Sequence, residues 1–406
     1  MRNLLRYRRR TILTTLLISI GVVAVLLFLA VSGSFKGMMI GQITDSMLGH
    51  LQIHKKGYVS SIDNLPLHLN MPPKMMNKVK DTLTDLDDVE IWSPRVKLGA
   101  MLSNFTETTN IRLNGVNPVR ESQVSPDLIK RVIEGDTETL VEKGKLLVPE
   151  LIARGMKIKV GDPVVLVANN KDGSVNGMNF VVQAILEGIS GPGGRDGYIH
   201  VEDARALLRM DNNEVSEIAL RLKDFDSLDR VYQQLQASLG SLKNEKGKPA
   251  FEIHKWEKLS PFFNIAKMID LLTLFIKIML VSIVLISVMN VMIMAVYERI
   301  REIGTIAAMG TPPGRIRSLF ITEGFLLGLL GAIIGSVLSI AVVTALKYAE
   351  ITFSFGRQKD LLLQPEIVIG DVVTASLMVI LVAVLASLQP AWKASRMDPI
   401  TALRHV

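Results

Sequence analysis

The chain lacks cysteine altogether, and aromatic residues make up only 5% of its 406 residues. Without cysteine, structural disulfides, zinc–thiolate sites, iron–sulfur clusters and cysteine nucleophiles are excluded. The chain also lacks the Gly-x4-Gly-Lys-Ser/Thr motif with which P-loop proteins hold nucleotide phosphates. Apolar residues, by contrast, make up 49% of the chain, and its mean hydropathy is +0.33. This composition is too apolar for an ordinary soluble protein.

Four apolar stretches are long enough to cross a bilayer, which takes about 20 residues of helix. The first stretch, at residues 12–32, follows an arginine-rich N-terminal segment. It is either a membrane anchor or the apolar part of a secretory signal peptide. Its apolar run exceeds the ~7–15 residues of a signal peptide, and Ala30-Val31-Ser32 is a poor cleavage site. We therefore expect a retained membrane anchor. The other predicted spans cover residues 265–297, 320–346 and 371–389.

The basic residues predict the orientation of these spans. Residues 1–11, 297–319 and 389–406 hold 5, 4 and 3 lysines and arginines, and residues 347–369 hold three. Cytoplasmic loops carry the excess of Lys and Arg, so both termini and the loop between the second and third spans are expected in the cytoplasm. Residues 33–264 are then extracytoplasmic.

The large segment 33–264 has the composition of a soluble domain. It contains 29 basic and 30 acidic residues, a net charge of −1, which argues against nucleic-acid binding. Its helical and alternating patterns intermingle, so a mixed α/β domain is predicted. The predicted elements are helices over Pro72–Leu86, Glu150–Gly155, Glu202–Met210 and Ser227–Leu239, and strands over Leu48–His54, Val164–Ala168, Asn179–Leu186 and Ile218–Leu222.

Few residues of this domain suggest chemistry. His50 and His54 share one face of a predicted strand but lie far apart, and no carboxylate stands nearby at ligand spacing. We find no nucleophile–base pair either. We therefore expect neither a metal site nor a catalytic centre.

A long second helix is predicted because Ser260 is a capping residue and Pro261 suits the first helical position. No helix-breaking residue follows until Gly304, which gives a length of roughly 65 Å. This is about twice the hydrocarbon thickness of a bilayer, so the helix is expected to extend into the extracytoplasmic space. The alternative is two helices with a break near Asp270.

The cytoplasmic loop that follows reads Glu298-Arg-Ile-Arg-Glu-Ile-Gly-Thr-Ile-Ala-Ala-Met-Gly310. Ile300, Ile303 and Ile306 share one face of a short amphipathic helix, and Gly310 is placed to end it. Two interpretations stay open at this point. The helix lies on lipid headgroups, or it docks into a groove of another protein.

Glycines recur at helical spacing in the third span, as the pairs Gly324–Gly328 and Gly331–Gly335. Small residues at this spacing allow close helix packing, which we expect within the subunit rather than at a dimer seam. Asn290 in the second span is expected to hydrogen-bond a neighbouring helix. No span carries the series of ionisable residues typical of a proton or ion path.

Three passages resemble the MacB/FtsX-like permeases of the type VII ABC transporter superfamily, particularly the LolC/LolE-like branch. One is the N-terminal anchor with Leu48-Gly-His-Leu-Gln-Ile-His-Lys-Lys-Gly-Tyr58. Another is Glu298-Arg-x-Arg-Glu-Ile-Gly304 with Met309-Gly310, continuing into Phe320-Ile-Thr-Glu-Gly324 and the glycine-spaced span. The last is Gln389-Pro-Ala-Trp-Lys-Ala-Ser-Arg-Met-Asp-Pro-Ile-Thr-Ala-Leu-Arg404. The domain between them resembles the family only loosely.

The resemblance implies an α-helical integral membrane protein with four transmembrane helices and a large mixed α/β extracytoplasmic domain inserted between the first two. It implies a bacterial inner (cytoplasmic) membrane location. The expected parts are a cytoplasmic basic segment (1–11), the first span (12–32), a periplasmic domain of two lobes (33–264), the second span with a periplasmic stalk (265–297), a cytoplasmic coupling helix and loop (298–317), the third span (320–346), a short periplasmic loop (347–369), the fourth span (371–389) and a cytoplasmic tail (390–406).

The resemblance also implies partners. A coupling helix would contact a separate cytoplasmic ABC ATPase, because this chain shows no P-loop of its own, and ATP and Mg would bind only to that partner. A second copy or a paralogous permease would complete a dimer, and a periplasmic adaptor or carrier protein is a further partner. The coupling residues would be Glu298, Arg299, Arg301, Glu302, Ile303, Gly304, Ile306, Met309 and Gly310.

The implied function is mechanotransmission, in which ATP hydrolysis by the partner moves the periplasmic domains and no substrate crosses the membrane. A LolC/LolE-like chain would release lipoproteins, whereas a MacB-like chain would export peptides, toxins or drugs. An FtsX-like regulator of cell-wall hydrolases is less favoured, because its extracytoplasmic domain is usually smaller. A receptor without an ATPase and an extracytoplasmic enzyme are the alternatives from other classes, and the sequence leaves the substrate open.

Overall fold

The structure is a computed structural model that describes residues 8–188, 196–210, 213–244, 247–260, 262–355, 358–398, 400 and 402. Part of the arginine-rich N-terminal segment (residues 1–7), Pro261 and most of residues 399–406 lie outside the described residues. The chain forms two compact units. A helical unit comprises Met1–Gly37, Ala266–Phe353 and Asp360–Val406, and an α/β unit comprises Met38–Ile265 and Ser354–Lys359.

The helices and strands are numbered in chain order. The helices are α1 (Arg8–Ile43), α2 (Pro73–Thr84), α3 (Pro118–Val124), α4 (Glu150–Gly155), α5 (Val201–Leu207), α6 (Leu228–Ser238), α7 (Trp256–Leu259), α8 (Phe263–Glu298), α9 (Ile300–Ala308), α10 (Pro313–Tyr348) and α11 (Ile369–Ser395). The strands are β1 (Leu51–Lys55), β2 (Val89–Ser103), β3 (Thr108–Val116), β4 (Val132–Gly135), β5 (Lys145–Pro149), β6 (Pro163–Asn169), β7 (Val175–Leu186), β8 (Asp196–His200), β9 (Glu217–Leu222), β10 (Phe251–Lys255), β11 (Thr352–Phe355) and β12 (Gln358–Leu362).

The helical unit contains four helices that are long and apolar enough to cross a membrane. They are α1, which continues through a π-helical turn to Leu48, and α8, α10 and α11, with mean hydropathies from 2.4 to 2.8 in their most apolar windows. All four sequence-predicted spans lie inside these helices. The apolar core of this unit includes Val22 of α1, Val288 of α8, Phe320 of α10 and Ala383 of α11.

The α/β unit is built on a ten-stranded sheet in the order β10-β1-β9-β2-β3-β8-β5-β7-β4, with β6 pairing with both β2 and β7. Most neighbouring pairs are antiparallel, but β3–β8 and β5–β7 are parallel. One apolar core uses residues from both ends of the segment and includes Ile53, Ile218 and Trp256. The main core of the remaining sheet uses residues between Val96 and Leu208. The observed elements confirm the predicted α/β class.

The start of one predicted strand is wrong. The predicted strand over Leu48–His54 begins only at Leu51, because Gly49 turns the chain with a positive φ of 70°. A Cβ atom at this position would lie 2.8 Å from the Leu220 carbonyl oxygen, so the close approach of the strand requires glycine. The paired strands β11 and β12 were not predicted.

The predicted unbroken helix to Gly304 is also wrong. The second long helix, α8, ends at Glu298, and Arg299 leaves the helical conformation with φ −113° and ψ 21° before α9 begins. The 36 residues of α8 span about 54 Å rather than 65 Å. The helix is continuous through Asp270, so the predicted alternative break is absent. Ser260 accepts a hydrogen bond from the Phe262 backbone N–H at 3.2 Å, as a residue beside a helix start does.

Candidate functional site

The short helix α9 stands between two long apolar helices and carries most of the predicted coupling residues. It follows a break in the helical conformation at Arg299, a residue that is only 6% exposed. The guanidinium Nε lies 3.2 Å from Oε2 of Glu302, and Nη1 lies 3.4 Å from Oε2 of Glu323 on α10. Burying a guanidinium is costly unless carboxylates pair with it. The ion pairs therefore fix the start of α9 against α10.

One face of α9 is buried in the helical unit. Ile303 is 5% exposed and belongs to the same apolar cluster as Ile316 and Phe320 of α10. Gly304 is buried beside it. A hollow of about 140 Å³ between α9 and the start of α10 is lined by Arg299, Ile303, Phe320 and their neighbours. This anchored face leaves the other side of α9 free to meet another surface.

Other residues of the segment are exposed. Arg301 is exposed, as are Ile306 and Met309, at 38% and 72%. Gly310 ends the segment with a positive φ of 84°, and its N–H bonds the Ala307 carbonyl at 3.0 Å. The helix ends as predicted, and Ile306 lines the same hollow as Ile303, as their spacing predicts, but is more exposed. The exposed apolar residues offer a surface of the kind that a partner groove accepts.

The predicted coupling residues therefore divide into two groups rather than one patch. Arg299, Ile303 and Gly304 are buried, and Glu302 is half-buried beside Arg299. The remaining residues are exposed and are Glu298, Arg301, Ile306, Met309 and Gly310. The ion pair between Arg299 and Glu323 was not predicted, although a carboxylate inside an apolar stretch signals a buried partner.

The four predicted packing glycines all lie where another helix of the same chain approaches. A Cβ atom at Gly324 or Gly328 would lie 2.7 Å from side-chain carbons of Ser387 or Ala383 on α11. Cβ atoms at Gly331 and Gly335 would meet Ile18 and Val22 of α1, at 2.4 and 2.6 Å. The glycine stripe thus holds α10 between α11 and α1, and Ser19 adds a hydrogen bond to the Gly331 carbonyl at 3.2 Å.

Asn290 does not make the predicted hydrogen bond. Its side chain is exposed on α8 and has no hydrogen-bond partner among the residues that the structure describes. The outer face of α8 is otherwise apolar, with Phe275 and Ile286 exposed by 65% and 52%. An exposed amide inside an apolar span is costly in lipid unless another helix supplies a partner.

The α/β unit contains a buried charged cluster that the sequence patterns did not single out. Arg95 of β2 is 2% exposed and lies 2.6 Å from Glu121 of α3 and 3.1 Å from Glu217 of β9. Lys97 reaches Glu217 at 2.9 Å, and His54 lies 3.4 Å from it. Burial alone raises the pKa of Glu217, but Lys97, His54 and Arg95 together hold it well below its usual range. The cluster therefore joins two strands and a helix by paired charges, and His54 of β1 lies beside it.

Within the residues that the structure describes, no group of three or more histidine, aspartate and glutamate side chains is arranged to hold a metal ion. His50 instead accepts a hydrogen bond from the Leu222 backbone N–H at 3.1 Å through Nδ1. His54 is buried, and its ring stacks on Tyr58 at 5.3 Å. Both histidines thus take part in the packing of the α/β unit.

Comparisons with known proteins match both units. Residues 11–238 match the MacB-like periplasmic core domain, and residues 274–399 match the FtsX-like permease C-terminal domain. The crystal structure of the periplasmic region of MacB from Actinobacillus actinomycetemcomitans matches 54% of this chain and 92% of its own length. The sequence identity is 10% and the TM-score is 0.36.

Named relatives come from two groups. The lipoprotein-releasing system transmembrane protein LolC of Neisseria meningitidis serogroup B (strain ATCC BAA-335 / MC58) is 21% identical, covering 96% of this chain and 92% of its own length. LolC of Xylella fastidiosa (strain 9a5c) is 22% identical over 72% of each chain. The probable export ATP-binding/permease protein MacB of Pseudomonas entomophila (strain L48) is 25% identical over 98% of this chain, which spans only 57% of that relative. The chain belongs to the family of ABC transporter permeases of the LolC/MacB type, in which a MacB-like periplasmic core domain is combined with an FtsX-like permease domain.

Proposed function

We propose that this chain is the membrane subunit of a transporter in which a separate cytoplasmic ATPase drives movement of the α/β domain. The observation that carries the proposal is the construction of α9. Arg299 and Ile303 anchor it against α10, while Ile306 at the rim of the same hollow is partly exposed and Met309 just beyond the helix is exposed by 72%. A short helix with an anchored back and an exposed apolar front suits force transfer from a partner.

The long helices supply a route for that force. Helices α1 and α8 have 36 residues each, or about 54 Å, nearly twice the hydrocarbon thickness. Within the helical unit, Lys36 of α1 lies 2.7 Å from Asp270 of α8, and Ser32 hydrogen-bonds Thr273 at 2.8 Å. A displacement of α8 would therefore be shared with α1.

The positions of the charges support an orientation with α9 and both termini in the cytoplasm of a bacterial inner membrane. In that orientation the α/β unit lies in the periplasm. ATP and Mg would bind to the partner ATPase. The exposed Asn290 on α8 supports a second permease subunit, either a copy or a paralogue, whose helix would supply the missing hydrogen-bond partner.

The first test addresses the ATPase partner. The variant Ile306→Asp places a charge at the partly exposed apolar rim of α9, and Ile306→Leu is its matched control because it keeps the apolar surface. We expect Ile306→Asp to lose the ATPase from complexes purified out of native membranes, while Ile306→Leu retains it. If no ATPase accompanies the wild type, or if both variants retain it equally, the transporter proposal is wrong and a membrane receptor is favoured.

The second test addresses the substrate. Lipoprotein release is our leading proposal, because relatives named for that system match most of their own length, and MacB-like efflux is the second candidate. Depletion of the chain should cause lipoproteins to accumulate in the inner membrane, as measured by membrane fractionation. Unchanged lipoprotein sorting combined with a new sensitivity to exported peptides or drugs would instead favour efflux.

A further inference from the structure

An open groove crosses the outer face of the sheet, entirely within the α/β unit. Its volume is about 950 Å³, and its floor is formed by β2, β3 and β6. The segment Asp63–His68 forms one wall, and the turn between β6 and β7 forms the other. Clefts that hold compact ligands have volumes of about 300–1,000 Å³. The groove is therefore large enough for a molecule with several rotatable groups.

Glycine keeps this groove open. Along β2 the side chains of Leu98 and Ala100 enter the core, so Gly99 and Met101 alternate with them on the outer face. A Cβ atom at Gly99 would lie 3.7 Å from Cδ1 of Leu65, which overhangs the floor. Any longer side chain at position 99 would occupy the space under Leu65. Met101, 49% exposed, and Val167 give the floor an apolar character.

The charges around the groove do not suit an anion. Arg112 lies 3.4 Å from Asp196, and Lys171 lies 3.1 Å from Glu214, so both cations already have carboxylate partners. Asp63 on the wall has no cation within the described residues. An anionic ligand would therefore meet neutralised cations and a repelling carboxylate.

Carboxamides dominate the polar lining, which includes Asn64, Asn110, Asn169 and Asn170. Asn170 is only 7% exposed, and its Nδ2 donates to Ser174 Oγ at 2.9 Å. Ser174 donates its own hydroxyl proton to Asp172 Oδ1 at 2.7 Å, so the amide cannot be turned round. The Asn170 Oδ1 atom is left as a buried acceptor with no donor among the described residues. Such an atom calls for an explanation, and Asn170 belongs to the lining of the groove.

We propose that this groove binds an extended segment of a separate polypeptide. A carboxamide carries two N–H donors and a C=O acceptor, and a peptide group carries one N–H donor and one C=O acceptor, so the two groups pair reciprocally. Apolar side chains of the segment would lie on Leu65, Met101 and Val167. An acyl chain would cover the same apolar floor but leave the amides, including Asn170, without partners. The proposal does not depend on ATPase coupling, because the groove lies wholly in the α/β unit.

The test uses the full chain in lipid nanodiscs and a library of acetylated, amidated hexapeptides that alternate Val, Leu or Ala with Ser, Thr or Gln. The binding of each peptide that is enriched on the immobilised chain is then measured by fluorescence anisotropy, with sodium decanoate and inorganic phosphate as competitors. We expect saturable binding that phosphate and decanoate do not displace.

Two variants locate the binding. Gly99→Val fills the space under Leu65 and should weaken peptide binding by about tenfold or more. Asn170→Ala removes the buried acceptor and should weaken it by about fivefold. Gly155→Val is the matched control, because a Cβ atom there has nothing within 4 Å and its φ is not positive, so it should bind like the wild type. Thermal unfolding of each variant establishes that it is folded.

Three outcomes would overturn the proposal: that no peptide is enriched, that Gly99→Val binds the peptides like the wild type, or that decanoate displaces the peptides. The cysteine-free chain allows a further check, in which Met101→Cys carries a photocrosslinker. Crosslinking to the enriched peptide is expected, whereas crosslinking to a second copy of the chain would show that the groove is a contact between copies.

Discussion

The two units bury charge in different ways. In the α/β unit, Arg95 is buried and is shared by Glu121 and Glu217, which are also buried. In the helical unit, Arg299 lies at a helix break, and its partner Glu302 remains half-buried. The α/β unit thus closes its charged groups inside its own fold. In the helical unit, Arg299 pairs with the buried Glu323 inside α10 and with the half-buried Glu302, and the long helices keep large apolar faces exposed.

This comparison predicts that the largest effect of a single substitution comes from the enclosed cluster. Arg95→Met leaves the buried Glu121 without its cation and leaves Glu217 with Lys97, which costs about 3–5 kcal/mol of unfolding free energy. Urea unfolding of the full chain, followed by hydrogen exchange in β2 and β9, measures the loss. The control is Arg230→Met, whose partner Asp88 and own side chain are 34% and 63% exposed. It should cost less than about 1 kcal/mol. Similar losses in both variants would contradict the distinction.

The glycine stripe of α10 gives the next largest effect and tests the helical unit. Gly331→Ala places a Cβ atom 2.4 Å from Ile18 Cγ2, so α1 and α10 must separate. Overpacking of this kind costs about 1–3 kcal/mol. Gly33→Ala on α1 is the matched control, because its Cβ would have nothing within 4 Å. The fraction of monodisperse protein after mild heating in detergent should fall only for Gly331→Ala. Equal behaviour would show that the stripe does not carry the packing.

Sequence reasoning predicted the parts of the structure that depend on local pattern. The spans follow from runs of apolar residues, and α2 and α6 follow from helical spacing, with boundaries within a few residues of Pro73–Thr84 and Leu228–Ser238. The glycine pairs also signal close packing, since only a helix contact explains them at that spacing. The particular partners, Ile18 and Ala383, could not be predicted, because they depend on which helices meet.

The site was predicted less completely, for a physical reason. The residues of the loop were identified correctly as a short helix, but the break at Arg299 depends on Glu323, which lies 24 positions further along the chain. A helix-forming arginine carries no local signal that it will leave the helix. The buried pair Arg95–Glu217 joins residues 122 positions apart and is hidden for the same reason.

A third prediction concerns pH. His254 is 7% exposed, and burial, followed by the charge of His54, lowers its pKa to about 4, while Lys258 acts in the same direction and Glu252 opposes it. The folded state then binds fewer protons than the unfolded state between about pH 6.5 and 4. Stability of the α/β unit should therefore fall as the pH drops through this window and stay constant above it.

The pH effect is expected to distinguish the two units. No histidine occurs in residues 8–43 or 262–402, which include the described helical segments. Hydrogen exchange at pH 7 and pH 5 should therefore show faster opening of β1 and β10 with little change in α10 and α11. His254→Gln should flatten the response of the α/β unit. A variant with the full wild-type pH dependence would place the titrating group elsewhere.

The smallest effect is expected where the helical unit carries an open ion pair. Lys36 and Asp270 join α1 and α8 at 2.7 Å, but their side chains are 33% and 57% exposed. Water screens such a pair, so Asp270→Asn should change the unfolding free energy by less than about 1 kcal/mol.

The effect of Asp270→Asn on the proposed movement of the helices is a separate question, because a contact that adds little stability can still keep two long helices in register. ATPase stimulation by substrate in the reconstituted complex, compared with the neighbouring exposed control Lys267→Gln, separates the two roles. If Asp270→Asn lowers the stimulation of ATPase activity without lowering stability, α1 and α8 move together through this ion pair. If the stimulation is unchanged, the two helices are joined by their packing and not by the ion pair.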